Sequence, residues 1–224
     1  MTRSDGRLAA PMVWEKVLWH LGDFRGLKIL DAPAGKGFVS EALQERGGRV
    51  FPLDIVEIEI PLKNKIKSDL NTYLPFKHDQ FDRIICIEGI EHLQNPFSLI
   101  KEFSRILSYN GTLIITTPNT LNFRSRIKFL FTGNLFWFGD YAIKRFGHIT
   151  PLFPYQLIFF LKSSGFSEIQ IDANRKMKWM KWLSLPLRAG GILFRENYNS
   201  PEIISGEILI IKAKKRSAEQ LSTE

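Results

Sequence analysis

Residues 28–37 decide the fold, and they read Lys28-Ile29-Leu30-Asp31-Ala32-Pro33-Ala34-Gly35-Lys36-Gly37. The apolar pair Ile29-Leu30 predicts a buried strand that ends at Asp31, and the glycines at 35 and 37 predict a tight turn. Residues 38–46 then have the spacing of a helix, which Gly47-Gly48 ends. A strand, a glycine turn and a helix in this order are typical of the first unit of a parallel α/β sheet.

Downstream of this unit, short apolar runs alternate with amphipathic segments of helix length as far as about residue 119. Further strands are predicted over residues 49–54, 66–69, 81–87, 112–117, 167–171 and 207–211. A helix is predicted to begin at Asn95-Pro96, with proline in its first turn, and to end at Asn110-Gly111. The alternation indicates an α/β fold with a parallel sheet.

Composition and charge exclude several classes of protein. A content of 44% hydrophobic and 24% charged residues in 224 excludes disorder of the whole chain, and a single cysteine, Cys86, excludes an internal disulfide. The most apolar stretches are too short to span a membrane, and the first residues lack the apolar core of a signal peptide. We therefore expect a cytoplasmic protein, with peripheral membrane contact left open. The net charge of +8 fits RNA, an anionic membrane or an anionic substrate, and lysines placed only for solubility would give the same count.

Two carboxylates indicate the kind of ligand. The turn after Asp31 lacks both the Gly-x-Gly-x-x-Gly and the Gly-Lys-Ser/Thr patterns, and a carboxylate beside it would repel a pyrophosphate and attract an amine. Asp54 ends the second strand, where it can accept hydrogen bonds from ribose hydroxyls. Both residues could instead be strand-end carboxylates that cap helices. Together with the glycine turn, they favour a nucleoside that carries an ammonium group.

At this point a longer set of residues resembles the class I S-adenosylmethionine-dependent methyltransferases. The set comprises residues 29–37, Asp54, Asp69-Leu70, Pro75-Phe76 and residues 81–96. Within that superfamily the chain is similar to the small-molecule group that includes the ubiquinone-biosynthesis O-methyltransferases, over about residues 27–172. The resemblance implies a Rossmann-like, doubly wound α/β fold. Its seven-stranded sheet would be mostly parallel with an antiparallel last strand, and a helical, aromatic-rich lid would be added.

The resemblance also implies S-adenosylmethionine as cofactor and assigns roles to residues. Ala34, Gly35 and Gly37 would surround its methionine part, and Asp31 would orient its amine. The other implied contacts are Asp54 with the ribose, Asp69 and Leu70 with the adenine, and Glu88 with the methionine moiety. One position departs from the family, which usually has glycine where Pro33 stands. Proline has a fixed φ and no amide hydrogen, so the turn at this point can differ from the family's.

The turn after the fourth strand carries the candidate catalytic residues. Glu88, Glu91 and His92 have i, i+3, i+4 spacing and would share one face of a helical turn, and His148 follows Gly147 in a loop. A similar Glu-x-x-Glu-His pattern with a later histidine binds metal in small-RNA terminal 2′-O-methyltransferases. A divalent metal held by Glu88, Glu91, His92 and His148 is therefore an alternative, which we do not favour. The preferred roles are catalytic, for His148, His92 and Glu91, with an imidazole as general base.

We expect a single methyltransferase domain over residues 1–224. In it, residues 27–119 would bind the cofactor, residues 120–164 and 174–201 would form lid and substrate-side insertions, and residues 213–224 would be a flexible tail. The aromatic residues between Phe123 and Tyr141 suit an apolar or lipid-linked acceptor, although for most of them we favour packing of the added helices. The basic residues beside them suit a phosphate-bearing or membrane-presented substrate.

The expected function is methyl transfer to a small or lipid-linked acceptor, through oxygen. Two alternatives stay open. One is RNA methylation through the basic clusters, which is less favoured because the sequence contains no recognisable RNA-binding module. The other is a non-catalytic binding or scaffold protein on this fold, in which Pro33 would mark a degraded loop. The sequence does not predict the oligomeric state.

Overall fold

The structure is a computed structural model that describes residues 11–175, 200–217 and 219. The strands are β1 (Lys28–Asp31), β2 (Arg49–Asp54), β3 (Ile66–Lys67), β4 (Phe81–Ile87), β5 (Leu107–Pro118), β6 (Phe166–Ala173) and β7 (Ile208–Lys215). The helices are α1 (Pro11–Leu21), α2 (Phe38–Glu45), α3 (Pro96–Ile106), α4 (Phe123–Thr132), α5 (Asp140–Phe146), α6 (Pro154–Ser163) and α7 (Pro201–Ser205), and a short 3₁₀ helix covers Ile90–His92.

The seven strands form one sheet in the order β3-β2-β1-β4-β5-β7-β6. β3, β2, β1, β4 and β5 pair in parallel, whereas β7 is antiparallel to both β5 and β6. The predicted α/β fold with a mostly parallel, seven-stranded sheet is therefore confirmed. From β1 the chain continues to β2 on one side of the sheet's centre, and from β4 it continues to β5 on the opposite side. The carboxyl ends of β1 and β4 consequently form the switch point at which such sheets bind ligands.

Alternate residues of the central strands belong to two cores on opposite faces of the sheet. Leu30 and Ile84 pack in one core with residues of α3 and α6, whereas Ile29 and Ile85 pack in the other with residues of α1 and α2. Side chains alternate across a strand, so a strand with helices on both faces must be apolar at successive positions. This requirement explains the continuous apolar runs from which the sheet was predicted.

The start of α3 was predicted correctly, but its end was not. Asn95 caps the helix, because its Oδ1 accepts a hydrogen bond from Ser98 N–H at 3.1 Å. The helix ends at Ile106, and Asn110-Gly111 lies inside β5 instead of closing the helix. From Phe81 to Arg83 β4 advances two residues, while β5 advances five, from Leu107 to Thr112. The predicted stop signal is thus part of an irregularity in the strand.

The last strand extends further than expected. β7 continues to Lys215, three residues into the segment 213–224 that was expected to be a flexible tail. Nζ of Lys215 donates to Asp79 Oδ1 and to the carbonyl oxygen of Leu107, both at 2.7 Å, and this pairing explains why a polar strand end is ordered. Most of the expected insertion over residues 174–201 lies outside the described residues. Within the described ranges, no helix is both long and apolar enough to cross a bilayer.

Candidate functional site

The polar residues assigned to cofactor binding lie along the carboxyl edge of the sheet. Asp31 ends β1 and Asp54 ends β2, while Glu88 directly follows β4. Asp69 and Leu70 follow the short strand β3. The carboxyl ends of parallel strands lie at one edge of the sheet. Residues that follow these strands therefore lie side by side next to the switch point.

Asp31 is buried at the end of β1. Its Oδ2 accepts a hydrogen bond from Ser40 Oγ at 2.6 Å, which ties the strand to the first turns of α2. Burial raises the pKa of Asp31 to about 7, against the lowering effect of the Ser40 hydrogen bond, and the nearby charge of Asp54 raises it further. A cationic ligand would stabilise the charged carboxylate, so Asp31 is suited to an ammonium group.

The two glycines of the turn have different surroundings. Both adopt positive φ, +55° at Gly35 and +96° at Gly37. A Cβ on Gly37 would lie 2.8 Å from Ile58 Cγ2 and 2.9 Å from Leu62 Cδ1, whereas a Cβ on Gly35 would meet nothing within 4 Å. Gly37 is therefore required by packing, and Gly35 faces open space through which a ligand can approach the backbone.

Asp54 holds the same turn in place. Its Oδ2 accepts a hydrogen bond from Gly35 N–H at 2.7 Å, and its Oδ1 accepts one from Val56 N–H at 3.1 Å. A carboxylate oxygen has more than one acceptor site, so these bonds leave capacity for ribose hydroxyls. The structural use of Asp54 that the sequence left open is thus present, and it is compatible with a role in binding.

Asp69 and Glu88 take part in hydrogen bonds within their own loop or with the neighbouring strand. Asp69 Oδ1 accepts hydrogen bonds from Asn71 N–H at 2.8 Å and from Asn71 Nδ2 at 3.0 Å, which closes a turn within its own loop. Leu70 is buried in the core beside it. Glu88 has a φ of +47°, and its N–H donates to the Oγ1 and the carbonyl oxygen of Thr116 at 3.0 and 3.1 Å. This backbone pairing joins the end of β4 to β5.

Pro33, the residue that departs from the family pattern, packs against Gly89. A Cβ on Gly89 would overlap Cδ of Pro33 and would lie 2.5 Å from its Cγ. Glycine at 89 therefore leaves the space that the proline ring fills. The glycine turn after β1 and the turn after β4 are in direct contact through this pair.

Glu91 is fully buried in the 3₁₀ helix after β4. Its Oε2 accepts a hydrogen bond from Thr117 Oγ1 at 3.1 Å, and its Oε1 has no hydrogen-bond partner among the described residues. Burial raises the pKa of Glu91 to about 8, and the neighbouring charge of Glu88 adds to this, whereas hydrogen bonds to the Glu91 carboxylate lower it. Glu91 is consequently neutral at pH 7 unless a cation lies beside it.

Two histidines meet beside Glu91, and a backbone carbonyl orients each of them. The ring centroids of His92 and His148 are 5.0 Å apart. Nδ1 of His92 lies 3.0 Å from the carbonyl oxygen of Gly147, and Nδ1 of His148 lies 3.0 Å from that of Trp137. A carbonyl only accepts hydrogen bonds, so Nδ1 of each neutral ring carries the proton and Nε2 is the basic nitrogen.

The loop that carries His148 is attached to the turn that carries Glu91. The N–H groups of Ile149 and Thr150 donate to the carbonyl oxygen of Glu91 at 3.1 and 3.0 Å, and Thr150 Oγ1 donates to that of Leu93 at 2.6 Å. These bonds bring residues far apart in the sequence to one corner of the site.

Three of the four residues considered for a metal are brought together. Ligand atoms of Glu91, His92 and His148 all lie within 4.8 Å of one another, and Glu88 is not part of this group. The expected shared helical face is wrong, because the helix begins only at Ile90 and Glu88 has positive φ. A carboxylate with an unpaired oxygen and two imidazoles with carbonyl-bound Nδ1 atoms is a donor set that fits a divalent metal.

Part of the aromatic segment surrounds His148. The rings of Phe138 and Phe146 lie 5.8 and 5.5 Å from that of His148, and Trp137 lies 6.1 Å from Phe146. Phe138 is buried, whereas Phe129 and Phe131 are exposed. Packing thus accounts for some of these aromatic residues and leaves others on the surface. Their role as a lid remains a prediction.

Four residues of the site were not predicted: Ser40, Gly89, Thr117 and Trp137. Thr117 carried a signal, because a hydroxyl at the carboxyl end of an apolar strand lies at the ligand-binding edge. The other three act through a distant partner or through a backbone carbonyl, for which the sequence has no pattern.

Comparison with known proteins gives the family. The family model described as a methyltransferase domain matches residues 10–177. The ubiquinone biosynthesis O-methyltransferase of Rickettsia typhi is 28% identical over 178 residues, which cover 75% of this chain and 68% of that enzyme. The enzyme of the same name from Leptothrix cholodnii is 26% identical over 112 residues, 44% of this chain and 47% of the relative. The chain thus aligns with about half of the second relative's length.

Solved structures share the fold. An S-adenosylmethionine-dependent methyltransferase from Archaeoglobus fulgidus is 22% identical with a TM-score of 0.66, and the match covers 93% of this chain and 96% of that one. Another from Mesorhizobium loti is 16% identical with a TM-score of 0.62, covering 92% and 99%. At these identities the matches show a common architecture.

Proposed function

This chain belongs to the class I S-adenosylmethionine-dependent methyltransferases, and on that premise we propose that it methylates a hydroxyl oxygen of a small or lipid-linked acceptor. The curated relatives named above are O-methyltransferases, which supports oxygen as the acceptor atom. The observation that carries the proposal is the oriented pair His92 and His148 beside buried Glu91, at the same sheet edge as Asp31 and Asp54.

When bound, S-adenosylmethionine supplies a methyl group activated by a sulfonium. The new bond joins the acceptor oxygen to the methyl carbon while the bond from carbon to sulfur breaks, and S-adenosylhomocysteine leaves. The hydroxyl must lose its proton, and we assign that proton to Nε2 of His148. The protein otherwise aligns the reactants and excludes water. The aromatic rings packed around His148 are suited to excluding water.

The residues that would hold the cofactor are those assigned from the sequence. Asp31 would bind the amine and Asp54 the ribose, while the open space at Gly35, bordered by Ala34 and Gly37, would receive the methionine part. Asp69, Leu70 and Glu88 complete the proposed set. The contact between Pro33 and Gly89 supports an intact turn, and so favours an enzyme over a scaffold with a degraded loop.

A divalent metal is a second way to promote loss of the proton. Glu91, His92 and His148 would hold it, and its charge would lower the pKa of an acceptor hydroxyl. Calorimetric titration of the protein with Zn²⁺ or Mg²⁺ decides between the two arrangements. Binding that is lost in His148→Ala and in Glu91→Gln supports the metal, and the absence of binding supports the unassisted base.

The proposed activity is tested with methyl-labelled S-adenosylmethionine and a panel of acceptors. The panel contains catechols, phenols, their prenylated forms, amines and RNA, and the label is located in the product by mass spectrometry. Label on a hydroxyl of a small or prenylated acceptor supports the proposal. Label on nitrogen or RNA, or no transfer by a protein that binds the cofactor, contradicts it.

A further inference from the structure

Helix α4 presents apolar side chains to solvent. Ile127, Leu130 and Phe131 have i, i+3, i+4 spacing and therefore share one face of the helix. Leu130 is 74% and Phe131 79% exposed, and Phe129 beside them is also exposed. No described residue covers this face. Single exposed apolar residues are common on soluble proteins, but a contiguous set on one helix marks an interaction surface.

The same part of the molecule is strongly basic. Helices α4 and α5 together contain five basic residues and one acidic residue: Arg124, Arg126, Lys128, Lys144 and Arg145 against Asp140. Arg124 is ion-paired with Glu207 at 2.7 Å, so we rely on Lys144 and Arg145. Lys144 and Arg145 are exposed, and so is Tyr141 one turn before them. A helix with an apolar face, flanking cations and an aromatic residue is the pattern of a segment that lies in the headgroup region of an anionic membrane.

The loop that joins α4 to α5 is attached to α4. Phe136 N–H donates to Ser125 Oγ at 3.0 Å, and Lys128 Nζ donates to the carbonyl oxygen of Leu135 at 3.1 Å. The guanidinium of Arg124 lies 4.6 Å from the centre of the Phe136 ring. We call the exposed residues Ile127, Leu130, Phe131, Tyr141, Lys144 and Arg145 the α4–α5 surface.

We propose that the α4–α5 surface docks on an anionic lipid bilayer. Leu130 and Phe131 enter the interface between headgroups and acyl chains, while Lys144 and Arg145 meet the lipid phosphates. The charge favours this occupant over a second copy of the chain, because two copies of a basic surface repel each other. Apolar insertion beside cations also distinguishes it from a purely electrostatic site for nucleic acid.

Docking would place the candidate base close to the membrane. Helix α5 ends at Phe146, whose ring packs on that of His148, and Gly147 alone separates the two residues. A lipid-linked acceptor would then reach the site without leaving the interface. The docking proposal rests on the surface alone, and it is tested without any measurement of methyl transfer.

The test is flotation of the full chain with vesicles of two compositions. One is an equimolar mixture of phosphatidylcholine and phosphatidylglycerol, and the other is phosphatidylcholine alone. We expect the protein to float with the anionic vesicles, and the partition coefficient to fall about tenfold or more in Leu130→Ser/Phe131→Ser and in Lys144→Gln/Arg145→Gln. All four residues are exposed, so the fold should be retained, which circular dichroism checks.

Matched controls change similar residues elsewhere. Trp19, which is 73% exposed on α1, is replaced by Ser, and two exposed lysines, Lys63 before β3 and Lys67 in β3, are both replaced by Gln. These variants should float like the unaltered chain. Equal flotation of the α4–α5 variants and the unaltered chain would overturn the proposal. Failure of the unaltered chain to float would also overturn it. That result is expected if residues 176–199 occupy the surface, or if a second copy of the chain, which light scattering detects, occupies it.

Discussion

Nδ1 of His148 lies 3.0 Å from the carbonyl oxygen of Trp137, and this contact determines which nitrogen of the ring can accept a proton. The carbonyl belongs to the aromatic segment, so this segment orients the candidate base as well as packing around it. The matching contact between Nδ1 of His92 and the carbonyl oxygen of Gly147 orients the second imidazole. Two general-base candidates therefore have fixed tautomers at one edge of the sheet.

Replacement of His148 by Ala should lower kcat by about 10²-fold or more while S-adenosylmethionine affinity stays unchanged, because His148 is not among the residues proposed to bind the cofactor. Turnover is measured with the acceptor found in the labelling experiment, and affinity by calorimetry. His78→Ala, at an exposed histidine outside the site, is the control. Unchanged kcat in His148→Ala would remove this residue from the mechanism.

The pKa of Glu91 predicts how stability depends on pH. Because folding raises that pKa from 4.5 to about 8, the folded state binds the proton more tightly. The stabilisation is fully present below pH 4.5 and is lost as the pH rises through about 8, with a slope of at most about 1.4 kcal/mol per pH unit. Urea unfolding with a chelator present should show this decline, and Glu91→Gln should make it shallower and leave the part below pH 7 that Asp31 contributes. An equal slope in the variant would mean that Glu91 is charged in the fold.

The glycine turn offers a pair of variants with opposite consequences. Gly37→Ala should cost about 2 kcal/mol or more, because the new methyl group overlaps Ile58 and Leu62 at an unfavourable φ. Gly35→Ala should cost only about 1 kcal/mol, from its φ alone, yet weaken S-adenosylmethionine binding about tenfold or more by filling the open space. Urea unfolding and calorimetry measure the two effects. Cofactor affinity unaffected in Gly35→Ala would place the ligand elsewhere.

The contact between Pro33 and Gly89 predicts a coupling between two substitutions. Gly89→Ala should destabilise the protein by about 1–3 kcal/mol, because its Cβ overlaps the proline ring. Pro33→Gly removes that ring, so Gly89→Ala should cost much less in the Pro33→Gly background than in the unaltered chain. A double-mutant cycle by urea unfolding gives the coupling energy. Additive effects would show that the two residues do not constrain each other.

The sequence was sufficient to predict the sheet, because buried parallel strands require continuous apolar runs. It was also sufficient to predict the polar residues at the carboxyl edge, because the ends of parallel strands lie at one edge. It misplaced the end of α3, since Asn110-Gly111 is equally compatible with a helix stop and with an irregular strand. It also grouped Glu88 with Glu91, which requires a helix that the positive φ of Glu88 excludes. The tautomer of His148 depends on a backbone carbonyl eleven residues away, and no sequence pattern describes that contact.

The central claim is that a cationic nucleoside binds at the carboxyl edge through Asp31, and calorimetry of S-adenosylmethionine binding across pH tests it most directly. Burial holds the pKa of Asp31 at about 7, so affinity should rise about tenfold per pH unit toward pH 7 and then level off. In Asp31→Asn, binding should be weak and independent of pH. No binding at millimolar ligand, or an unchanged affinity and pH profile in Asp31→Asn, would contradict the account.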